Sequence, residues 1–193
     1  RNLVSIRVLR QIGVQDAIRH IEKLGIPGDQ LPRNLSLALG SGEVTPVELA
    51  GAYTTFANGG YGVTPYFIDR VVENGEGVIY RAYPDRAISA SEMAPARPSE
   101  VGPQRPDARP AERVIDERTA WQMRSMLQDV VREGTGRSAL QLGRADLAGK
   151  TGTTNDQQDA WFSGFGGDLV TTAWVGFDEL QTLGRYETGG RAA

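Results

Sequence analysis

Seven consecutive residues hold most of the chemistry open to this sequence. Lys150-Thr151-Gly152-Thr153-Thr154-Asn155-Asp156 gathers an ammonium, three hydroxyls and a glycine, and the more apolar Asp159-Ala160-Trp161-Phe162 follows close behind. A cation beside hydroxyl donors fits a small carboxylate ligand. Lys150 supplies the charge, Thr151, Thr153 and Thr154 supply hydrogen bonds, and Gly152 lets a second backbone lie close. Polar residues giving way to an apolar run read as an edge strand that leads into a buried one. Asp156 and Asp159 could be taken for a catalytic carboxylate pair, but acidic residues between two strands serve more often to cap or turn the loop, and that reading is preferred. His20, the one histidine, falls on the polar side of a helical pattern with no serine or carboxylate partner in view, and reads as solvated.

The elements that must position this stretch can be read from spacing. Residues 2–12 carry Leu3, Val4, Ile6, Val8, Leu9 and Ile12, dense enough for a buried helix that Gly13 closes; Val14, Ala17, Ile18, Ile21 and Leu24 keep helical spacing until Gly25 and Pro27. Residues 31–44 read as loop with one short helical turn. Thr45-Pro46-Val47-Glu48 is a full helix start, with Thr45 as N-cap, Pro46 in the first turn and Glu48 as capping-box partner. Val47, Ala50, Gly51, Tyr53 and Thr54 let that helix pack closely, and Asn58-Gly59-Gly60 ends it. Residues 67–72 and 78–83 alternate as a surface hairpin across Asn74-Gly75.

Residues 84–113, with repeated Pro, Ala and Arg, read as an exposed mobile insertion; Arg97, Arg105, Arg109 and Arg113 are interleaved with acids and read as a solvated linker. Asp116 looks like the N-cap of a helix whose apolar face is Ala120, Met123, Leu127, Val130 and Val131, with Trp121, Met123 and Met126 as core filling; it ends at Glu133-Gly134-Thr135-Gly136. Three strands should then follow: one bearing Lys150 to Thr153, one over 160–165, one over 169–177. Such short links, Gly166-Gly167-Asp168 among them, force antiparallel pairing and a sheet with helices packed on it.

Composition removes several classes. A formal net charge of −3 gives no basic footprint for nucleic acid, and the absence of cysteine removes disulfides and thiolate metal sites. No apolar run reaches the ~20 residues a membrane helix needs. The chain opens on Arg1 and reads as a piece of something longer.

Set together, these words resemble the transpeptidase domain of class A (bifunctional) penicillin-binding proteins. Lys-Thr-Gly is the third signature of that family, after Ser-x-x-Lys and Ser-Asp-Asn. The likeness extends to Gly149-Lys150-Thr151-Gly152-Thr153-Thr154-Asn155-Asp156, to Asp159-Ala160-Trp161-Phe162 with Gly164-Phe165, to Thr45-Pro46-Val47-Glu48-Leu49-Ala50 with Phe56-Ala57-Asn58-Gly59-Gly60, to Gly134-Thr135-Gly136 and to Glu187-Thr188-Gly189-Gly190. The resemblance implies an α/β (α+β type) fold, an antiparallel sheet flanked by helices plus a helical lobe, here as an incomplete domain. It also implies a D,D-transpeptidase that cross-links peptidoglycan stem peptides through an acyl-serine intermediate and is acylated by β-lactam antibiotics, with no cofactor and no metal. The family places a glycosyltransferase domain and a membrane anchor upstream, on the periplasmic face of the bacterial inner membrane.

One part of the pattern is missing. The two lysines, Lys23 and Lys150, have His20 and Leu147 three residues earlier, so Ser-x-x-Lys is absent; the asparagines at 34, 58, 74 and 155 follow Pro32, Phe56, Val72 and Thr153, so no complete Ser-x-Asn occurs. Asn2 is then read as the last residue of the second signature, with the nucleophile further upstream. The resemblance assigns Asn2 to the substrate backbone and the absent base. It assigns Lys150 to the proton-transfer serine and the substrate carboxylate, and the Thr151 and Thr153 hydroxyls to that carboxylate. The Thr153 N–H goes to the oxyanion hole and Gly152 to the path of the substrate strand, with Thr154 beside them. The competing readings are a non-catalytic β-lactam-sensing or scaffold module of the same fold, and a D,D-carboxypeptidase or β-lactamase.

Overall fold

In the computed structural model, which describes residues 2–74, 77–88 and 108–191, two helices lie on a three-stranded sheet, and a second pair of helices extends from one of them. The helices are α1 (Asn2–Ile12), α2 (Val14–Glu22), α3 (Pro46–Ala57) and α4 (Glu117–Arg132). The strands are β1 (Arg70–Glu73), β2 (Gly77–Arg81), β3 (Asp85–Arg86), β4 (Arg109–Pro110), β5 (Ala148–Thr153), β6 (Ala160–Gly166) and β7 (Leu169–Val175). No helix among the described residues is long and apolar enough to cross a membrane.

Local sequence sets the start of α3. The Thr45 hydroxyl accepts from the Glu48 N–H at 3.3 Å, and the Thr45 N–H donates to the Glu48 carboxylate at 2.8 Å, closing the capping box. The Thr45 N–H and the Thr45 hydroxyl both donate to the Glu48 carboxylate at 2.8 Å and hold its carboxyl below its ordinary pKa. Thr45→Ala, which removes the cap, is expected to cost about 1 kcal/mol in urea unfolding. α3 then joins two cores. Its Ala52 packs with Ile18, Ile26 and Leu31 in the helical lobe. One residue on, Tyr53, with Phe56 and Ala57, packs against Leu127 of α4 and Ala148 and Phe165 of the sheet. Burial raises the Tyr53 phenol to about 12.

The sheet order is β5-β6-β7, antiparallel throughout, as the short links require. β5 is an edge strand. Lys150 is opposite Ser163, Thr151 opposite Phe162, Gly152 opposite Trp161 and Thr153 opposite Ala160. Directly opposed side chains share a face, so Ala148, Lys150 and Gly152 stand with Phe165, Ser163 and Trp161 on the face that α3 and α4 cover. Thr151 and Thr153 stand on the other. On the covered face the Ser163 and Thr172 hydroxyls bond at 3.0 Å and the Trp161 and Trp174 rings meet at 6.1 Å. Asp146, just before β5, accepts from Arg144 and from the Gly167 N–H at 2.9 Å, clasping the β6–β7 turn to the start of β5; these bonds lower its carboxyl to about 2.

Three sequence readings need correction. α1 exists, but it is not buried: Leu3 and Val4 are 68% and 63% exposed, Val8 and Ile12 are also exposed, and Leu9 alone is closed off. Its neighbours are α2 and the short helix Leu35–Leu39, which cover one side only. In α4, Trp121 and Met126 are exposed rather than core filling, because the buried stripe is Ala120, Leu127 and Val131. In α3 the closely packed residues are Gly51, Ala52 and Thr55, while Val47 is exposed.

The stretch read as an insertion is described only at its ends, residues 84–88 and 108–113; the rest of that reading lies outside the described residues. Those ends run side by side as the parallel pair β3–β4, with the Arg109 N–H on the Pro84 carbonyl at 2.9 Å and the Arg109 guanidinium 3.2 Å from Asp85. The hairpin β1–β2 pairs as read, with a register shift between Val71 and Val72; Gly75 of its turn lies outside the described residues.

Candidate active site

Chain geometry at the end of β5 decides where each backbone group points. The Thr154 N–H turns inward to the Asp159 carbonyl at 3.1 Å. Successive N–H groups along a strand alternate sides, so the Thr153 N–H, like the Thr151 N–H and carbonyl, faces the open edge. The Lys150 ammonium comes round to that same edge and donates to the Thr151 carbonyl at 2.7 Å. The Lys150 side chain remains exposed along this edge, and desolvation by its surroundings lowers its pKa below the ordinary 10.5. One open edge thus presents an ammonium, the Thr153 N–H and the N–H and carbonyl of Thr151, while the Gly152 backbone pairs inward with Trp161; the layout can hold a carboxylate and an extended peptide together.

The threonines on the opposite face are engaged from outside the strand. The Thr151 hydroxyl lies 2.5 Å from the Thr135 hydroxyl, in the Gly-Thr-Gly turn that ends α4. The Thr153 hydroxyl accepts from the Gly189 N–H at 3.0 Å. Gly189 and Gly190 come this close because they lack side chains. A Cβ on Gly189 would sit 2.1 Å from the Trp161 carbonyl oxygen and 2.2 Å from that of Gly152; one on Gly190 would sit 2.5 Å from the Thr135 carbonyl oxygen. Ser138 fixes this closing segment by donating to the Gly190 carbonyl at 2.6 Å.

Of the residues named from sequence, Lys150, Thr151, Gly152 and Thr153 are brought together. Thr154 is turned to the loop: its hydroxyl accepts from the Asp159 N–H at 2.8 Å and donates to the Asp159 carboxylate at 3.3 Å. Asp159 also accepts from the Trp174 indole N–H at 2.8 Å, and Asp156 turns the chain with a left-handed φ of 57°. Both aspartates therefore shape the β5–β6 loop. Asn2 opens α1, exposed, and its side chain makes no hydrogen bond among the described residues. His20 is exposed on α2. Sequence reasoning gave no role to Thr135, Ser138, Gly189 or Gly190, although Gly-Thr-Gly and Thr-Gly-Gly both stood out as words. A cavity of about 640 Å³ beside Tyr66, Tyr80, Tyr83 and Arg109 lies at the hairpin, away from β5; the β5 site is an edge.

Comparison with known proteins bears on this edge. Residues 13–177 match the family described as "Penicillin binding protein transpeptidase domain". The whole chain is 49% identical to penicillin-binding protein 1A of Pseudomonas aeruginosa, of which it covers 26%. It is 45% identical to the protein of the same name from Neisseria lactamica, of which it covers 22%. The chain therefore spans about a quarter of the length of these curated relatives. The crystal structure of penicillin-binding protein 1A from Haemophilus influenzae superposes with a TM-score of 0.80 at 33% identity, over 98% of this chain and 30% of that one.

Proposed function

The chain belongs to the penicillin-binding protein transpeptidase domain family, and from that premise we propose that it forms the Lys-Thr-Gly-Thr half of a D,D-transpeptidase site that cross-links peptidoglycan stem peptides. The observation that carries the reading is the open edge of β5, where the Lys150 ammonium and the Thr153 N–H face outward beside Gly152.

On this reading a serine hydroxyl attacks a stem-peptide or β-lactam carbonyl and forms an acyl-serine. The serine and its base lysine come from polypeptide outside these 193 residues, since the chain holds no Ser-x-x-Lys. The Thr153 N–H, with the nucleophile's own N–H, stabilises the oxyanion; losing one such donor typically costs ~2.7–4 kcal/mol in the transition state. Lys150 sets the field for the proton-transfer serine and attracts the terminal carboxylate, which the Thr151 and Thr153 hydroxyls bind. Gly152 lets the substrate backbone add to the sheet edge. Thr154 acts by shaping the loop, and Asn2 supplies the amide of the second signature. Residues 84–113 are an insertion into this domain. An anchor elsewhere in the longer polypeptide holds the site on the periplasmic face of the inner membrane.

The test is covalent labelling by a fluorescent penicillin. The isolated 193 residues are expected to stay unlabelled, and the full-length polypeptide that contains them to become labelled. Labelling of the isolated chain would contradict the placing of the nucleophile, and a full-length polypeptide that resists labelling would favour a non-catalytic scaffold.

A further inference from the structure

Resting on the carboxylate reading of the β5 site, we propose that Thr135 is a positioning residue for substrate binding, which fixes the Thr151 hydroxyl as a donor toward the ligand. A hydroxyl carries one proton and two lone pairs, and a carboxylate only accepts. Each threonine of the signature can therefore serve the ligand only if its own proton is left free. For Thr153 this is already arranged: the Gly189 N–H, which can only donate, occupies a lone pair of the hydroxyl oxygen at 3.0 Å. Thr151 is partnered by the Thr135 hydroxyl at 2.5 Å, a contact that holds one proton between two oxygens. When a carboxylate takes the Thr151 proton, the proton in that contact must come from Thr135.

The neighbourhood favours a fixed geometry. Thr135 lies in the tight turn Gly134-Thr135-Gly136, where the Gly136 N–H returns to the Val130 carbonyl at 3.0 Å. Its own carbonyl is pressed by Gly190, which leaves no room for a Cβ on that glycine, and Ser138 holds the Gly190 carbonyl at 2.6 Å. The turn after α4 and the 188–190 segment thus brace each other over the Thr151 and Thr153 hydroxyls. Both bring a donor to a threonine whose proton is to point at the ligand.

The experiment measures the second-order rate of acylation of the full-length polypeptide by benzylpenicillin and by its methyl ester, which keeps the ring and lacks the charge. Thr135→Val is expected to lower the rate with the acid ~10-fold, the effect of a lost hydrogen bond to a charged partner, and to leave the rate with the ester unchanged. Thr135→Ser should restore the acid rate. The double variant Thr135→Val with Thr151→Val should be no slower than Thr151→Val alone, because Thr135 acts through Thr151. Equal losses for acid and ester, or additive losses in the double variant, would reduce Thr135 to a structural residue and overturn the proposal. So would a Thr135→Val polypeptide that acylates like the wild type. A wild-type polypeptide that does not acylate at all sinks the carboxylate reading itself, a result distinguishable from any failure confined to Thr135.

Discussion

Lys150→Ala in the full-length polypeptide is expected to cut acylation by a fluorescent penicillin ~100-fold, within the range of a charge-assisted hydrogen bond worth about 1.5–3 kcal/mol. The loss should be large because the Thr151 carbonyl holds the ammonium at the open edge at 2.7 Å, where partial desolvation already disfavours the charge and a bound carboxylate would offset that cost. The same desolvation sets a pH signature. It disfavours the charged form, so the Lys150 pKa lies below 10.5, and the ammonium is lost at lower pH than from a solvated lysine. Acylation should therefore fall on an alkaline limb that begins below the ordinary lysine range. Lys150→Arg, which keeps its charge at those pH values, should flatten that limb while lowering the plateau. Stability moves the other way. Between the folded and unfolded pKa values the unfolded chain binds more protons at this site, so its contribution to folding improves as pH rises through that window. An unchanged acylation rate in Lys150→Ala would take the residue out of the site.

How much of this was legible beforehand depends on whether a feature is local. The capping box at Thr45, the N-cap at Asp116 and the antiparallel β5-β6-β7 sheet were readable because a few adjacent residues and short links determine them. The placing of Lys150 to Thr153 on an edge strand was readable for the same reason. Burial was not. Apolar density in α1 says that the helix is made to be covered, but not by what, and the relatives are about four times the length of this chain. In α4 the period was right and the stripe too broad: at about 100° per residue, Trp121 and Met126 lie well round the helix from Ala120, Leu127 and Val131. Thr135 and Gly189 were hidden for a third reason. They meet Thr151 and Thr153 across 16 and 36 residues, and no spacing rule reports on contacts made at that separation.

The contact at Gly189 leads to the second large effect. Gly189→Ala is expected to strip the 188–190 segment from the sheet, because the added Cβ would stand 2.1 Å from the Trp161 carbonyl oxygen and 2.2 Å from that of Gly152. Those two residues are directly paired in the β5–β6 ladder, so the ladder cannot yield without losing its own hydrogen bonds and the segment must move instead. As it moves, the Gly189 N–H leaves Thr153 and the Gly190 carbonyl leaves Ser138, bonds of 3.0 and 2.6 Å. Overpacking of this kind costs about 1–3 kcal/mol, which a domain of this size registers as a fall in Tm of about 2–4 °C per kcal/mol. Acylation should fall ~10-fold as well, since the Thr153 hydroxyl loses the donor that directs its proton. Gly184→Ala separates the two effects. Gly184, unlike Gly189, has a left-handed φ, of 124°, and its nearest neighbour would be the Glu187 side chain at 3.6 Å. That variant should lose about 1 kcal/mol of stability to backbone strain and keep its acylation rate. Should both variants lose stability alike and acylate alike, the 188–190 segment would be a surface closure with no hold on the threonines of β5.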